Sequence, residues 1–250
     1  MKAFRFAIFS FLSLLTSCSA GRVTNKIALE HNIRGADYLM KGDLDQAATR
    51  FELALEYAPD FPEALNNLGL VAMARGSLEE AEILFKKALR RNADLAQAQN
   101  NLGKVKLLKG DKKGAEARYR KALDINPGFT EARENLARLL LGQKRLTEAE
   151  KEFRKLVELA PKTSGPLLGL GVTLLVAGKT KQAETYLSKA VKIDPANAES
   201  NYNLGLARFR LGFYEQAVQS FEAALKVDPD FSEARHNLVQ ARRAAEYGTL

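Results

Sequence analysis

Residues 62–95 read PEALNNLGLVAMARGSLEEAEILFKKALRRNADL, and residues 96–129 read AQAQNNLGKVKLLKGDKKGAEARYRKALDINPGF. Laid over one another, they place Gly69 on Gly103, Gly76 on Gly110, Ala81 on Ala115, Phe85 on Tyr119 and Ala88 on Ala122. Self-similarity at a fixed period of this size marks a repeat architecture, in which each unit buries its apolar face only against its neighbours. The same 34-residue frame runs outward without insertion, giving units 28–61, 62–95, 96–129, 130–163, 164–197 and 198–231.

Read down the columns, the twentieth residue is always alanine: Ala47, Ala81, Ala115, Ala149, Ala183 and Ala217. The eighth is small throughout, as Gly35, Gly69, Gly103, Ala137, Gly171 and Gly205. The twenty-fourth is large, as Phe51, Phe85, Tyr119, Phe153, Leu187 and Phe221, and the twenty-seventh is Ala54, Ala88, Ala122, Leu156, Ala190 or Ala224. Large residues facing small ones on two helical stretches predict interlocking helices. Gly42, Gly76, Gly110, Gly178 and Gly212 fall between the two stretches, where a helix end favours a left-handed residue. Pro59, Pro127, Pro161, Pro195 and Pro229 close five of the units, with Ala93 in that place in the other. Each unit therefore reads helix, turn, helix, and the chain is all-α.

These columns resemble the tetratricopeptide repeat over residues 28–231, which implies a right-handed α-solenoid of six repeats. The chain departs from the family at the fourth position, where tryptophan is usual and Leu65, Gln99, Arg133, Leu167 and Asn201 stand here. Lys106 and Arg208 fill another usually bulky position, so their stems are expected to pack while their charges reach water. Residues 232–250 read as a capping helix and tail. Leu238 and Val239 are expected to face the sixth repeat, with Arg235, Arg242, Arg243 and Glu246 toward solvent.

The resemblance further implies that positions five, nine and twelve of each first helix line a concave groove that binds protein. Here that stripe is Asn66, Leu70 and Met73; Asn100, Lys104 and Leu107; Glu134, Arg138 and Leu141; Leu168, Val172 and Leu175; and Tyr202, Leu206 and Phe209. Contiguous exposed apolar surface of this kind marks a contact site, whereas packing of some of these side chains between neighbouring helices is the alternative for each. Lys104 and Arg138 are placed either to receive a carboxylate or to pair with Glu134. Asn67, Asn101, Asn135, Asn203 and Asn237 recur at the sixth position, and such periodicity favours a structural role, satisfying helix-end backbone groups of the preceding repeat.

The 250 residues are 46% hydrophobic and 27% charged, a composition that packs rather than staying disordered. Lys2 and Arg5 precede a short apolar run over residues 6–15, the pattern of a secretory signal, and that run is too short to span a bilayer. The only cysteine, Cys18, excludes an intramolecular disulfide and any cysteine-based metal cluster. It follows Leu15, Thr16 and Ser17, and this stretch resembles the lipobox of bacterial lipoproteins, in which the cysteine is acylated and becomes the first residue. The resemblance implies a signal peptide over 1–17 and a lipidated start and tether over 18–27, with covalent lipid on Cys18 and no other cofactor. Ser19 follows the cysteine rather than an aspartate, which favours the outer membrane, facing the periplasm. Loss of Lys2 and Arg5 lowers the formal charge from +8 to +6.

No metal spacing, phosphate loop or nucleophile arrangement stands out, and the two histidines, His31 and His236, lie at opposite ends of the repeats. Pairs such as Glu79 and Glu80 read as solvated helix-surface charges, so no catalysis and no small-molecule substrate are expected. The basic charge is scattered and export removes the chain from the cytosol, so nucleic acid is not an expected partner. Lipobox, short tether and six repeats together resemble the pilotin lipoproteins of type IV pilus systems, the Tgl, PilF and PilW group. That resemblance implies binding of an outer-membrane secretin and help with its multimerisation. A general envelope scaffold that recruits cell-wall enzymes through the same groove is the alternative.

Overall fold

The computed structural model describes residues 25–248, and among them are thirteen helices and no strands. In chain order they are α1 (Lys26–Met40), α2 (Leu44–Tyr57), α3 (Pro62–Ala74), α4 (Leu78–Arg91), α5 (Ala96–Leu108), α6 (Lys112–Ile125), α7 (Thr130–Gly142), α8 (Leu146–Leu159), α9 (Ser164–Val176), α10 (Thr180–Ile193), α11 (Ala198–Arg210), α12 (Tyr214–Val227) and α13 (Ser232–Tyr247). The chain divides into two compact units between Ile125 and Asn126. Unit 1 holds α1–α6 and unit 2 holds α7–α13.

Local chemistry sets the ends of these helices. Asn25, Asp43 and Asn197 accept the free first-turn amides of Ile27, Gln46 and Ser200, and Pro62 starts α3 where its missing N–H costs nothing. Between α3 and α4 the Ser77 amide donates to the Ala72 carbonyl at 2.9 Å, a closure that needs Gly76 at φ +81°. Unit 2 makes the corresponding turn between α7 and α8 with Lys144 at φ +60°, a conformation that crowds its Cβ. After the second helices, Asn92, Asn126 and Asp228 accept the amides of Asp94, Gly128 and Asp230. The Asn92 turn is what closes the repeat that has Ala93 in place of proline.

Inside a repeat, the large side chain of the second helix presses on a glycine of the first. A Cβ on Gly35, Gly69, Gly103 or Gly205 would lie within about 2.7 Å of Phe51, Phe85, Tyr119 or Phe221, so those glycines let the two backbones approach. Ala137 already carries that Cβ. Its partner Phe153 is directed into the next repeat, where a Cβ on Gly169 would fall 2.2 Å from the ring. Position six is asparagine in the four other later units and glycine only here, so Ala137 and Gly169 are two halves of one rearrangement. Phe153 joins Leu156, Leu167, Leu170, Leu174 and Leu187 in the main core of unit 2, while Leu65, Leu84, Phe85, Leu102 and Val105 form that of unit 1.

The positions that lack tryptophan follow a second rule, because the fourth residue meets the twenty-third of the same repeat in kind. Leu65 and Leu84 share one apolar cluster, and Leu167 and Tyr186 another. Gln99 accepts from Arg118 Nη1 at 3.1 Å, and Arg133 Nη1 donates to Glu152 Oε2 at 2.6 Å with both side chains nearly buried. Arg133 and Asn201 also donate to the carbonyls of Pro127 and Pro195 in the turn just before them. A polar residue here thus fixes the inter-repeat turn as well as filling space.

Lys106 and Arg208 do not carry their charges freely into water. Lys106 Nζ lies 3.2 Å from Glu82 on the preceding second helix, and Arg208 donates to Ser220 at 2.9 Å with Glu184 3.6 Å from its Nε. The Glu82 carboxylate also takes Lys86 at 2.7 Å and Lys109 at 2.9 Å. Hydrogen bonds from Lys86 and then Lys109 hold its pKa down to about 2 against the opposing effect of burial. The expected cap is present as α13, but with one correction. Leu238 is buried beside Phe221 and Ala241, whereas Val239 is 45% exposed, because Ala234, Leu238 and Ala241 at i, i+4 and i+7 already fill the inward stripe.

Candidate protein-binding face

The first helices carry the candidate site, and burial sorts its predicted residues into two groups. Asn66, Asn100, Leu168 and Leu175 are buried, held between neighbouring helices rather than offered to a ligand. Leu70, Met73, Lys104, Leu141, Val172, Tyr202, Leu206 and Phe209 are half-buried, while Leu107 and Arg138 are exposed. Position five therefore serves packing in three repeats and position twelve in one, and position nine stays at the surface. The residue one helical turn beyond position nine was not in the predicted stripe, yet Leu108 is 59% and Val176 54% exposed. The i, i+4 spacing from Lys104 to Leu108 and from Val172 to Val176 is the signal that would have found them.

In unit 1 the asparagines occupy one another. Asn67 Nδ2 donates to Asn32 Oδ1 at 3.0 Å, Asn66 Nδ2 to Asn67 Oδ1 at 3.2 Å, and Asn101 Nδ2 to Asn66 Oδ1 at 3.0 Å. Position six of one repeat thus reaches position five of the repeat before it. The same geometry returns in unit 2, where Asn237 donates to the Tyr202 hydroxyl at 3.1 Å. The structural role expected of this column is present, but its acceptors are side chains of the preceding first helix. Asn203 instead donates to the Glu199 carbonyl of its own helix at 2.8 Å.

In unit 2 this surface is largely apolar. Helix α9 carries no charged residue, and Val172 and Leu206 pack onto the unit 2 core with part of their surface still open. Phe209 lies beside Tyr214, their ring centroids 5.5 Å apart, and Phe213 next to them is 48% exposed. Tyr202 packs on Phe231 and Phe221, and burial, then Glu233, push its hydroxyl up, so it stays a neutral hydrogen-bonding group. Arg138 is paired to Glu134 by bonds of 2.7 and 2.9 Å at i, i+4, an exposed pair that contributes less than about 1 kcal/mol. Among the described residues no cluster of His, Cys, Asp or Glu is placed to hold a metal ion, and no helix is long and apolar enough to cross a membrane. Two shallow hollows of about 290 and 340 Å³, the first beside Asn201 and Ser220 and the second beside Tyr202 and His236, are open to solvent. Cys18 and the sequence around it lie outside the described residues.

Helix pairs of this length, keyed by a large side chain on a glycine, define a class. One tetratricopeptide-repeat family model matches residues 34–96, 168–230 and 202–246, and a second matches residues 106–170. The chain belongs to the tetratricopeptide-repeat proteins, a fold of protein-interaction scaffolds, and no catalytic family is indicated. No curated protein matches it in sequence. Among solved structures it is similar to PilF of Pseudomonas aeruginosa, with a TM-score of 0.78 and 20% identity over 86% of this chain and 98% of that one. It is similar also to PilW, a widely conserved type IV pilus biogenesis factor, with a TM-score of 0.74 and 20% identity over 86% of this chain and 99% of that one. YrrB, a repeat protein with an unusual peptide-binding site, has a TM-score of 0.65 and 24% identity over 76% of this chain and 98% of that one. At these identities the likeness is one of fold.

Proposed function

We propose that this protein is an outer-membrane lipoprotein of the pilotin group, which binds secretin subunits and promotes their multimerisation for type IV pilus assembly. The observation that carries this is the end-to-end likeness to PilF and PilW, which covers 86% of this chain and nearly all of each of theirs. The Leu15 to Cys18 lipobox supports a lipid anchor, and Ser19 supports outer-membrane delivery. The open apolar surface of Val172, Val176, Leu206 and Phe209 supports the mechanism, in which this face shields a membrane-inserting or oligomerising segment of a secretin monomer while the anchor holds both at the membrane. Removing such apolar surface from water is the driving force this contact would use.

The test is heat-stable secretin multimer formation in cells lacking this protein, with the wild type and Cys18→Ala restored separately. Loss of multimers in the deletion, recovery with the wild type and weak recovery with Cys18→Ala is the expected result. Unchanged multimers in the deletion would remove the secretin and leave a general envelope scaffold.

A further inference from the structure

The surface of α1 carries apolar bulk where the other first helices carry polar side chains or, in α9, glycine. At its second and sixth positions stand Leu29 and Ile33, where the later units have Glu63, Gln97, Glu131, Gly165, Glu199 and Glu233, and Asn67, Asn101, Asn135, Gly169, Asn203 and Asn237. Leu29, Ile33 and Met40 lie on one face at i, i+4 and i+11, and each is about half exposed. The bond from Asn67 to Asn32 shows which way that face looks, since position six points to where a preceding first helix would lie. Lys26 and Lys41 bracket the stripe, Arg34 and the exposed Asp37 lie on the flank beside it, and Glu30 pairs with Arg34 at 2.6 Å.

We infer that this stripe rests on the phospholipid surface of the membrane that holds the anchor. The inference rests on the reading of Cys18 as acylated. From Cys18 to the cap Asn25 the chain reaches at most about 25 Å even when fully extended, so α1 is the described helix that the anchor keeps beside the bilayer. That tether carries one large apolar side chain, Val23, and so has little to bury against the stripe. A second copy is a poor occupant, because one short helix face offers much less than the roughly 800 Å² per partner that a stable interface buries. A lipid surface needs no such area, since tethering makes the contact intramolecular and a weak apolar face suffices. Apolar side chains set between lysines are what an interfacial helix presents to the boundary between headgroups and acyl chains.

The chain contains no tryptophan, so a single introduced one reports without background. The full lipidated protein would be reconstituted into phosphatidylethanolamine and phosphatidylglycerol vesicles carrying brominated acyl chains, as Ile33→Trp and, separately, Leu108→Trp, with acylation of Cys18 read by mass. Docking predicts a blue-shifted Ile33→Trp emission quenched at least twofold by the brominated lipid, and a Leu108→Trp emission left unquenched. An acylated protein whose Ile33→Trp stays unquenched overturns the docking and leaves the anchor standing. An unacylated Cys18 overturns the anchor and the docking with it. A blue shift that grows with protein concentration in lipid-free detergent assigns the stripe to a second copy and also overturns the docking.

Discussion

The two units key successive repeats together with different chemistry, between first helices in unit 1 and from the second helix α8 onto α9 in unit 2. In unit 1 the contact is a relay of amides, Asn101 to Asn66, Asn66 to Asn67 and Asn67 to Asn32. In unit 2, at α9, it is a phenyl ring set against a glycine, with Leu167, Leu168 and Leu175 around it. The amides of unit 1 satisfy one another, which leaves them with little to offer a partner, whereas the apolar surface of unit 2 has no such internal use for Val176 and Phe213. One repeat frame thus yields one unit whose first helices are joined by polar bonds and another in which α9 carries no charge and Val176 and Phe213 stand exposed.

The largest effect is expected at the buried pair that interrupts this apolar unit. Arg133→Leu leaves Glu152 without its partner and should destabilise the protein by about 3–4 kcal/mol in chemical denaturation. The double change Arg133→Leu with Glu152→Leu copies the Leu65 and Leu84 arrangement and should recover most of that loss. Next comes Gly169→Asn, which gives α9 the residue the other later units carry. It drives a side chain into Phe153 and should cost about 3 kcal/mol, while Gly165→Asn, with open space around its Cα, should cost no more than about 1 kcal/mol. A neutral Gly169→Asn would show that the ring has room elsewhere.

A smaller effect is expected in unit 1, where Asn101→Ala removes one donor from the relay and should cost about 1 kcal/mol. Last is the pH dependence of Glu82. Its folded pKa, about 2, lies below the usual 4.5, so its contribution is fully present above about pH 4.5 and is lost as the pH falls toward 2. Stability measured across that window should fall less steeply in Glu82→Gln, and an unchanged slope would mean the three lysines do not favour the ionised form.

How much of this was visible in the sequence depends on how far each contact reaches. Columns such as Gly69 against Phe85 lie within one repeat, so their period alone gave the helix pairs and their mutual packing. The exposed stripe was only half visible, because the bulk of a neighbouring first helix decides whether Asn66 or Leu168 is covered, and that helix lies a full repeat away. Phe153 in the Gly169 gap and Asn67 on Asn32 also cross a repeat boundary. The first left two traces in the columns, Ala137 among glycines and Gly169 among asparagines, but only the structure joins the two anomalies into one contact. Arg133 looked like a departure from the family until Glu152 was seen beside it.

The most direct test of the division between the units is the affinity of the detergent-solubilised full-length protein for the secretin of the same organism. Two double variants would be compared, Val176→Asp with Leu206→Asp in unit 2, and Leu70→Asp with Leu108→Asp in unit 1, each checked for an unchanged thermal midpoint. The account predicts at least a tenfold loss of affinity, about 1.4 kcal/mol, for the unit 2 variant and a change under about threefold for the unit 1 variant. A full-strength unit 2 variant beside a crippled unit 1 variant would contradict it.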